Sequence, residues 1–274
     1  MFAHFAQETG EHNNSDKEVE EWRQGLAHLR ELGCTDTSPG GNNYYGKECN
    51  IYCFPGCNYN DNCIKTDSLT KKWACGKDRN GDWKKYFGRG AKQLSYNFNY
   101  GQFSQAMFGE GRLLLDHPDF VADTWLNLAS ATWFYVSPQP PKPSMLHVID
   151  GTWVPNSADR RNGINPGFGA TINIINGGIE CNKPGGETKQ ARNRAEYYKQ
   201  FAWYLYVDTE TEDLSCGDQG KFTADGAGAL PIYWDKDWSA PFACKLVPYQ
   251  TAHSALVRGE YVDCVEEFFN VKIR

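Results

Sequence analysis

Two groups of carboxylates near the start of this chain could do acid–base chemistry. Glu8 and Glu11 lie one helical turn apart, and Glu18, Glu20, Glu21 and Glu31 follow. Cleaving a glycosidic bond takes two carboxyls on opposite sides of that bond, one of them protonated near neutral pH. Partial burial is one way to keep a carboxyl protonated. At 100° per residue Glu8 sits about 60° from Phe5, at the margin of an apolar stripe formed by Phe2, Phe5, Ala6 and Thr9. That position half-desolvates it and makes it a plausible acid. The second carboxyl stays open among the other four, because periodicity nominates none of them. On a helix over residues 16–32, whose apolar stripe is Val19, Trp22, Leu26 and Leu29, Glu31 would face away from Trp22, Leu26 and Leu29, toward solvent.

Binding groups come from two further stretches. In Tyr86-Phe-Gly-Arg-Gly-Ala-Lys-Gln-Leu-Ser-Tyr-Asn-Phe-Asn-Tyr-Gly101, the glycines Gly88 and Gly90 permit a tight turn. Gln93, Ser95, Tyr96, Asn97, Phe98, Asn99 and Tyr100 then interleave neutral hydrogen-bonding groups with flat rings. A sugar, with hydroxyls on its rim and C–H bonds on its faces, suits such a surface. In Asn173-Ile-Ile-Asn-Gly-Gly-Ile-Glu-Cys181, Asn176 reads either as a helix C-cap beside two glycines or as a ligand to substrate. Glu180 is held rigidly if Cys181 is bridged, and Arg194 on the next helix is its natural partner. No GxSxG elbow, HExxH, Walker loop or dinucleotide fingerprint occurs. The His residues are scattered, none at metal-ligand spacing, so neither a metal nor an organic cofactor is expected.

The elements that would carry these residues are mostly helical. Helical patterns cover residues 1–12, 16–32, 93–108, 118–136, 144–149, 166–176 and 188–207. The fifth begins after the rigid loop Ser137-Pro-Gln-Pro-Pro-Lys-Pro143, which cannot be helical, and Gly177-Gly178 should stop the sixth. Strand signals are scarce, and the tail beyond Cys216 has no clear period. The class is therefore mainly α. Residues 34–85 form a Gly/Asn/Cys-rich insertion that disulfides rather than a core must order. No CxxC pair occurs among the ten cysteines, which favours disulfides over a structural zinc site and implies an oxidising compartment. Asn13-Asn14-Ser15 matches a glycosylation sequon, so the protein is expected to be secreted. Its first residues read as the interior of an amphipathic helix, not as a signal peptide, which predicts a chain lacking its upstream part. A net charge of -6 gives no reason to expect nucleic acid or an anionic membrane as partner. No apolar run approaches the roughly 20 residues of a membrane span.

Together these segments resemble the family 19 glycoside hydrolases, the plant-type endochitinases. The resemblance rests on Gln7-Glu8-Thr9-Gly10, the 86–101 segment, Gln139-Pro-Pro-Lys-Pro-Ser144, Pro166-Gly-Phe-Gly169 and the 174–181 segment, in the family's order. It implies a bilobal, lysozyme-like, mostly helical fold over residues 1–216, with a cleft between the lobes. Residues 217–274 would be a C-terminal extension. The implied reaction is hydrolysis of β-1,4-linked N-acetylglucosamine polymers with inversion, by a monomer that binds chitin or chito-oligosaccharide. A chitinase-like binding protein that has lost catalysis is the alternative.

Residue by residue, the resemblance makes Glu8 the general acid, although Gln7 replaces the family's histidine. It makes Glu31 the base, six positions after Gly25 in Gly25-Leu-Ala-His-Leu-Arg-Glu31. An outward-facing carboxylate also suits a base that must hold a water at the far face of the sugar. Ser95 would position that water. Gln93, Tyr96, Asn99, Lys142 and Asn176 would bind substrate, Glu180 and Arg194 would support them, and Cys181 would pair with Cys216. Three departures stand out. The family's helices upstream of the acid are missing, which would deprive Phe2 and Phe5 of packing partners. Phe98 replaces a tyrosine. The insertion and the tail are longer than in the plant enzymes.

Overall fold

Helix α1 (Phe2–Thr9) turns its Ala3, His4, Phe5 and Ala6 side inward and ends at Gly10, which adopts extended backbone. A computed structural model describes residues 1–32, 34, 63, 71–229, 233–237, 243–247, 251, 253–255 and 258–273. The helices that follow the insertion are α2 (Asn97–Phe108), α3 (Arg112–Asp116), α4 (Phe120–Asp123) and α5 (Leu126–Val136). After the proline turn come α6 (Met145–Ile149), α7 (Ser157–Arg161), α8 (Phe168–Glu180) and α9 (Lys189–Tyr204). The mainly α expectation holds.

Two apolar clusters organise these helices. The larger gathers Tyr86, Leu94, Tyr100, Phe103, Leu114, Leu115 and Trp133, among others, with Ile174 and Ile175 of α8. The smaller packs Ala3 and Ala6 of α1 against Phe168 and Ile172 of α8, Tyr197 of α9 and the Cys181–Cys216 disulfide. Burying each large side chain contributes about 1.5–3 kcal/mol, so both clusters are substantial. Helix α8 gives one face to each. It is the wall shared by the two lobes. Phe5 finds partners in Ala91 and Ala131 and is buried, whereas Phe2 stays half-exposed beside Phe201.

The sequence pattern misplaced several elements. Residues 16–32 contain only the single 3-10 turn Glu21–Arg23. Val19 and Leu26 of the supposed stripe are exposed. Tertiary hydrogen bonds replace the helical ones: Leu26 N–H donates to Thr9 Oγ1 at 2.8 Å and His28 N–H to Thr9 O at 3.0 Å. Gly25 lies against α1 so closely that a Cβ there would meet Ala6 Cα at 3.2 Å. Glu31 therefore lies on no helix, and no helical face sets its direction. The pattern over 118–136 is two helices, separated by extended backbone at Thr124. Helix α8 continues through Gly177-Gly178 to Glu180, with a kink at Asn176 (φ -139°, ψ 24°).

The tail also has structure that its lack of period concealed. Strands β1 (Tyr233–Lys236), β2 (Cys244–Val247) and β3 (His253–Ser254) form an antiparallel sheet in the order β2-β1-β3, with Tyr233 opposite Val247 and Lys236 opposite Cys244. Helix α10 (Glu260–Phe269) is fastened to β2 by the Cys244–Cys264 disulfide. Runs of two to four residues are too short to display a period. Of the Cys-rich insertion, Cys63–Cys75 is a disulfide, while Cys49, Cys53 and Cys57 lie outside the described residues.

Helix α2 owes its close docking to Gly101, where a Cβ would sit 2.5 Å from Cε3 of the buried Trp73 ring. Gly101→Val should therefore cost about 1–3 kcal/mol of stability by overpacking. Thermal denaturation would measure it, and an unchanged midpoint would contradict this packing.

Candidate active site

Glu8 lies on the last turn of α1 with its side chain 15 % exposed. Its Oε1 accepts from Arg194 Nη2 at 2.5 Å and from Asn176 Nδ2 at 3.3 Å. The same guanidinium donates to both oxygens of Glu180, at 2.9 and 2.8 Å, and Asn176 Nδ2 also reaches Glu180 Oε1 at 2.8 Å. The kink at Asn176 turns its amide between the two carboxylates. Asn176 is thus a bridge and not a C-cap. Burial by itself would lower the pKa of Arg194, but Glu8 and Glu180 outweigh it and hold the guanidinium above its ordinary value. Nη1 completes the set with His4 Nδ1 at 3.3 Å. Burial, Arg194 and the chain's amino terminus keep the His4 pKa well below its usual value, so His4 is neutral there. Arginine only donates, so Nδ1 accepts and Nε2–H points to Thr171 Oγ1 at 3.0 Å.

Glu31 approaches from another direction. Its N–H donates to Gly88 O at 2.8 Å, and its Oε2 accepts from Gly88 N–H at 2.9 Å. Gly90 N–H donates to Leu29 O at 2.8 Å, and Arg89 and Leu94 exchange backbone hydrogen bonds at 3.2 and 2.8 Å. A short ladder, not a helix, therefore fixes Glu31. Gly90 makes the turn with φ +76°, where a Cβ would also crowd Asn127 O, Val121 O and Ser130 Oγ at 3.1 Å. Behind it Arg89, fully buried, donates from Nε to Asp119 Oδ1 at 3.0 Å and covers the Phe87 ring at 3.7 Å. Sequence reading missed this arginine, although a charge between two glycines is the available signal.

The glycine turn delivers the remaining candidates. Ser95 Oγ donates to Gln93 O at 3.0 Å, Asn99 Nδ2 to Ser95 O at 2.8 Å, and Gln93 Nε2 to His28 O at 3.2 Å. The rings of Tyr96 and Phe98 stack 5.5 Å apart and almost parallel, with Tyr96 exposed. Across from them the proline turn presents Lys142, whose Nζ donates to Ile174 O at 2.6 Å. Its burial lowers its pKa. Glu8, Glu31, Gln93, Ser95, Tyr96, Asn99, Lys142 and Asn176 all line one cleft of about 580 Å³. Glu180 and Arg194 lie behind its wall. The cleft thus gathers two carboxylates from different elements, neutral amides and a stacked ring platform.

The family model described as Chitinase class I matches residues 1–216. The chain belongs to this family. Its curated relatives include a basic endochitinase of Vitis vinifera, 39% identical over 207 residues, which are 75% of this chain and 52% of that one. Endochitinase B of Nicotiana tabacum is 43% identical over 152 residues, 55% of this chain and 44% of the other. The chain spans about half the length of these relatives. Among solved structures, chitinase C from Streptomyces griseus HUT6037 is 26% identical, covers 78% of this chain and 75% of its own, and has a TM-score of 0.47. In this chain the family match ends at Cys216, where the Cys181–Cys216 disulfide closes behind Glu180. That pairing is the one the resemblance implied.

Lys92 is the cleft residue that sequence reading overlooked. It stands in a run where only Arg89 shares its charge. Its ammonium lies 4.0 Å from the centre of the Phe134 ring, and burial lowers its pKa from 10.5 to about 8. The unfolded chain keeps that proton up to about 10.5, so between about 8 and 10.5 it binds more protons than the folded one. Stability from this residue therefore rises with pH across that window. Lys92→Met should be the more stable form below pH 8, with the advantage shrinking toward pH 10.5; urea denaturation of both proteins across pH would show it. Arg194→Met should cost about 3–5 kcal/mol by leaving Glu180 buried without a cation. Arg194→Lys should fail to restore it, since an ammonium cannot span both carboxylates in the same way. Full stability in either variant would sink the shared-guanidinium account.

Proposed function

We propose that this chain is an endochitinase that hydrolyses β-1,4-linked N-acetylglucosamine polymers with inversion, with residues 1–216 as its catalytic unit. Carrying the reading is the placement of two carboxylates, Glu8 and Glu31, on different elements lining one cleft. The named relatives are endochitinases, which agrees with it.

Glu8 is the general acid. Arg194 is shared by two carboxylates, so the trio keeps one net negative charge and can take one proton. Glu180 is more deeply buried and receives two of the Arg194 hydrogen bonds, whereas Glu8 receives one and faces the cleft. Glu8 is therefore the carboxyl placed to pass a proton to the leaving glycosidic oxygen. Glu31 is the base: one oxygen is held by Gly88 N–H, and the carboxylate takes a proton from a water attacking the far face of the sugar. Ser95 orients that water. Tyr96 and Phe98 offer a stacked surface to sugar C–H faces, while Gln93, Asn99, Lys142 and Asn176 set the register of the chain. Secretion suits the disulfides, and the cleft suits chitin or chito-oligosaccharide as the partner of a monomer. No helix of the described residues is long and apolar enough to cross a membrane.

Glu8→Gln should reduce turnover by about 10²-fold or more while oligosaccharide binding survives. In the unmodified protein, NMR of the first product from a chitin oligomer should show the α-anomer. Initial β-product would overturn the inverting mechanism, and undiminished turnover in a folded Glu8→Gln variant would remove Glu8 from its role.

A further inference from the structure

The cations around Glu8 are not equivalent. Arg194 is committed to Glu8, Glu180 and His4, and Lys142 donates to a main-chain carbonyl. Lys92 lines the same cleft, but its ammonium makes no hydrogen bond among the described residues and meets only the Phe134 ring. Its backbone cannot readily move aside. The flanking turn is pinned by Gly90 N–H to Leu29 O, Ala91 N–H to Asn127 Oδ1 and Gln93 N–H to Gly90 O, at 2.8, 2.8 and 2.9 Å. The charges that act on Lys92 are Glu8 first, then Arg194, Lys142 and Glu180. Once Glu8 holds the proton it must donate, this wall carries Arg194, Lys92 and Lys142 against Glu180 alone. It is electropositive until Glu8 gives that proton up.

We propose that Lys92 is a specificity-determining residue, whose uncommitted ammonium favours neutral N-acetylated units beside Glu8 and rejects units with a free, cationic 2-amino group. The inference rests on reading the cleft as a chitin site. An acetamido group is neutral and brings a carbonyl oxygen that can accept from the ammonium. A glucosamine unit brings a second cation and no such acceptor. Like charges a few ångströms apart in a half-buried site shift an affinity on the order of tenfold. Lys92 remains charged under mildly acidic conditions, because burial lowers its pKa only to about 8.

The test is calorimetric titration of N-acetylglucosamine and glucosamine oligomers of equal length, at mildly acidic pH where glucosamine is protonated. A Glu8→Gln parent prevents cleavage and mimics the protonated acid. The parent should prefer the acetylated oligomer. Adding Lys92→Met should narrow the ratio of the two affinities by about tenfold, and Lys92→Arg should keep it wide. If the methionine variant does not fold, Lys92→Gln serves in its place. A neutral variant that binds the acetylated oligomer with an unchanged ratio overturns the role of Lys92 and leaves the chitin reading standing. A folded parent that binds no acetylated oligomer overturns the chitin reading itself, and the inference with it.

Discussion

A guanidinium buried without partners is prohibitively expensive, and the way Arg194 avoids that cost determines much of this molecule. It is almost fully enclosed, and its donors reach Glu8 on α1, Glu180 at the end of α8 and His4 on α1. Three helices are therefore held to one group. The arrangement continues outward: His4 passes a hydrogen bond to Thr171, and Thr171 Oγ1 donates to Phe168 O at 2.7 Å. The disulfide at Cys181 fixes the end of the helix that carries Glu180. Because each hydrogen bond supports the next, the position of the Glu8 carboxyl is determined by packing well beyond its own helix.

The opposite side of the cleft is built by different means. Backbone hydrogen bonds join residues 29–31 to residues 88–90, and buried Arg89 supports the turn from behind. One side of the cleft thus depends on a charge network and the other on a ladder of amides. The Gly88 N–H holds one oxygen of Glu31, while on the Glu8 side two carboxylates share a single cation. That asymmetry matches the different duties proposed for the two residues. Lys92, carried on the same turn as the ladder but acting toward Glu8, is where the two sides meet electrostatically.

Some of this was legible in the chain. The apolar repeat of α1 placed Glu8 at a partly buried margin, and Gly88 and Gly90 marked the turn that brings Gln93, Ser95 and Asn99 to the cleft. The proximity of Glu180 and Arg194 followed from the turn between their helices. Residues 16–32 were misread because a helical repeat says nothing of competing tertiary partners. Thr9 takes the amides of Leu26 and His28, and Val19 and Leu26 of the stripe are left exposed. Asn176 was open to two readings, since a glycine pair after an asparagine resembles a helix stop until the continuing helix is seen.

What the sequence determined by itself is chemical inventory and local geometry: which carboxylates, amides and rings are available, where most of the helices run, and which glycines must turn. Those depend on near neighbours in the chain, and periodicity and backbone sterics report them directly. Only the tertiary structure decided that Glu31 is held by Gly88 across 57 residues and that one arginine serves two carboxylates. It also decided that Lys92 stands in the cleft with no hydrogen bond among the described residues. Such pairings depend on desolvation and distance between segments remote in sequence, and no periodicity within either segment carries that information.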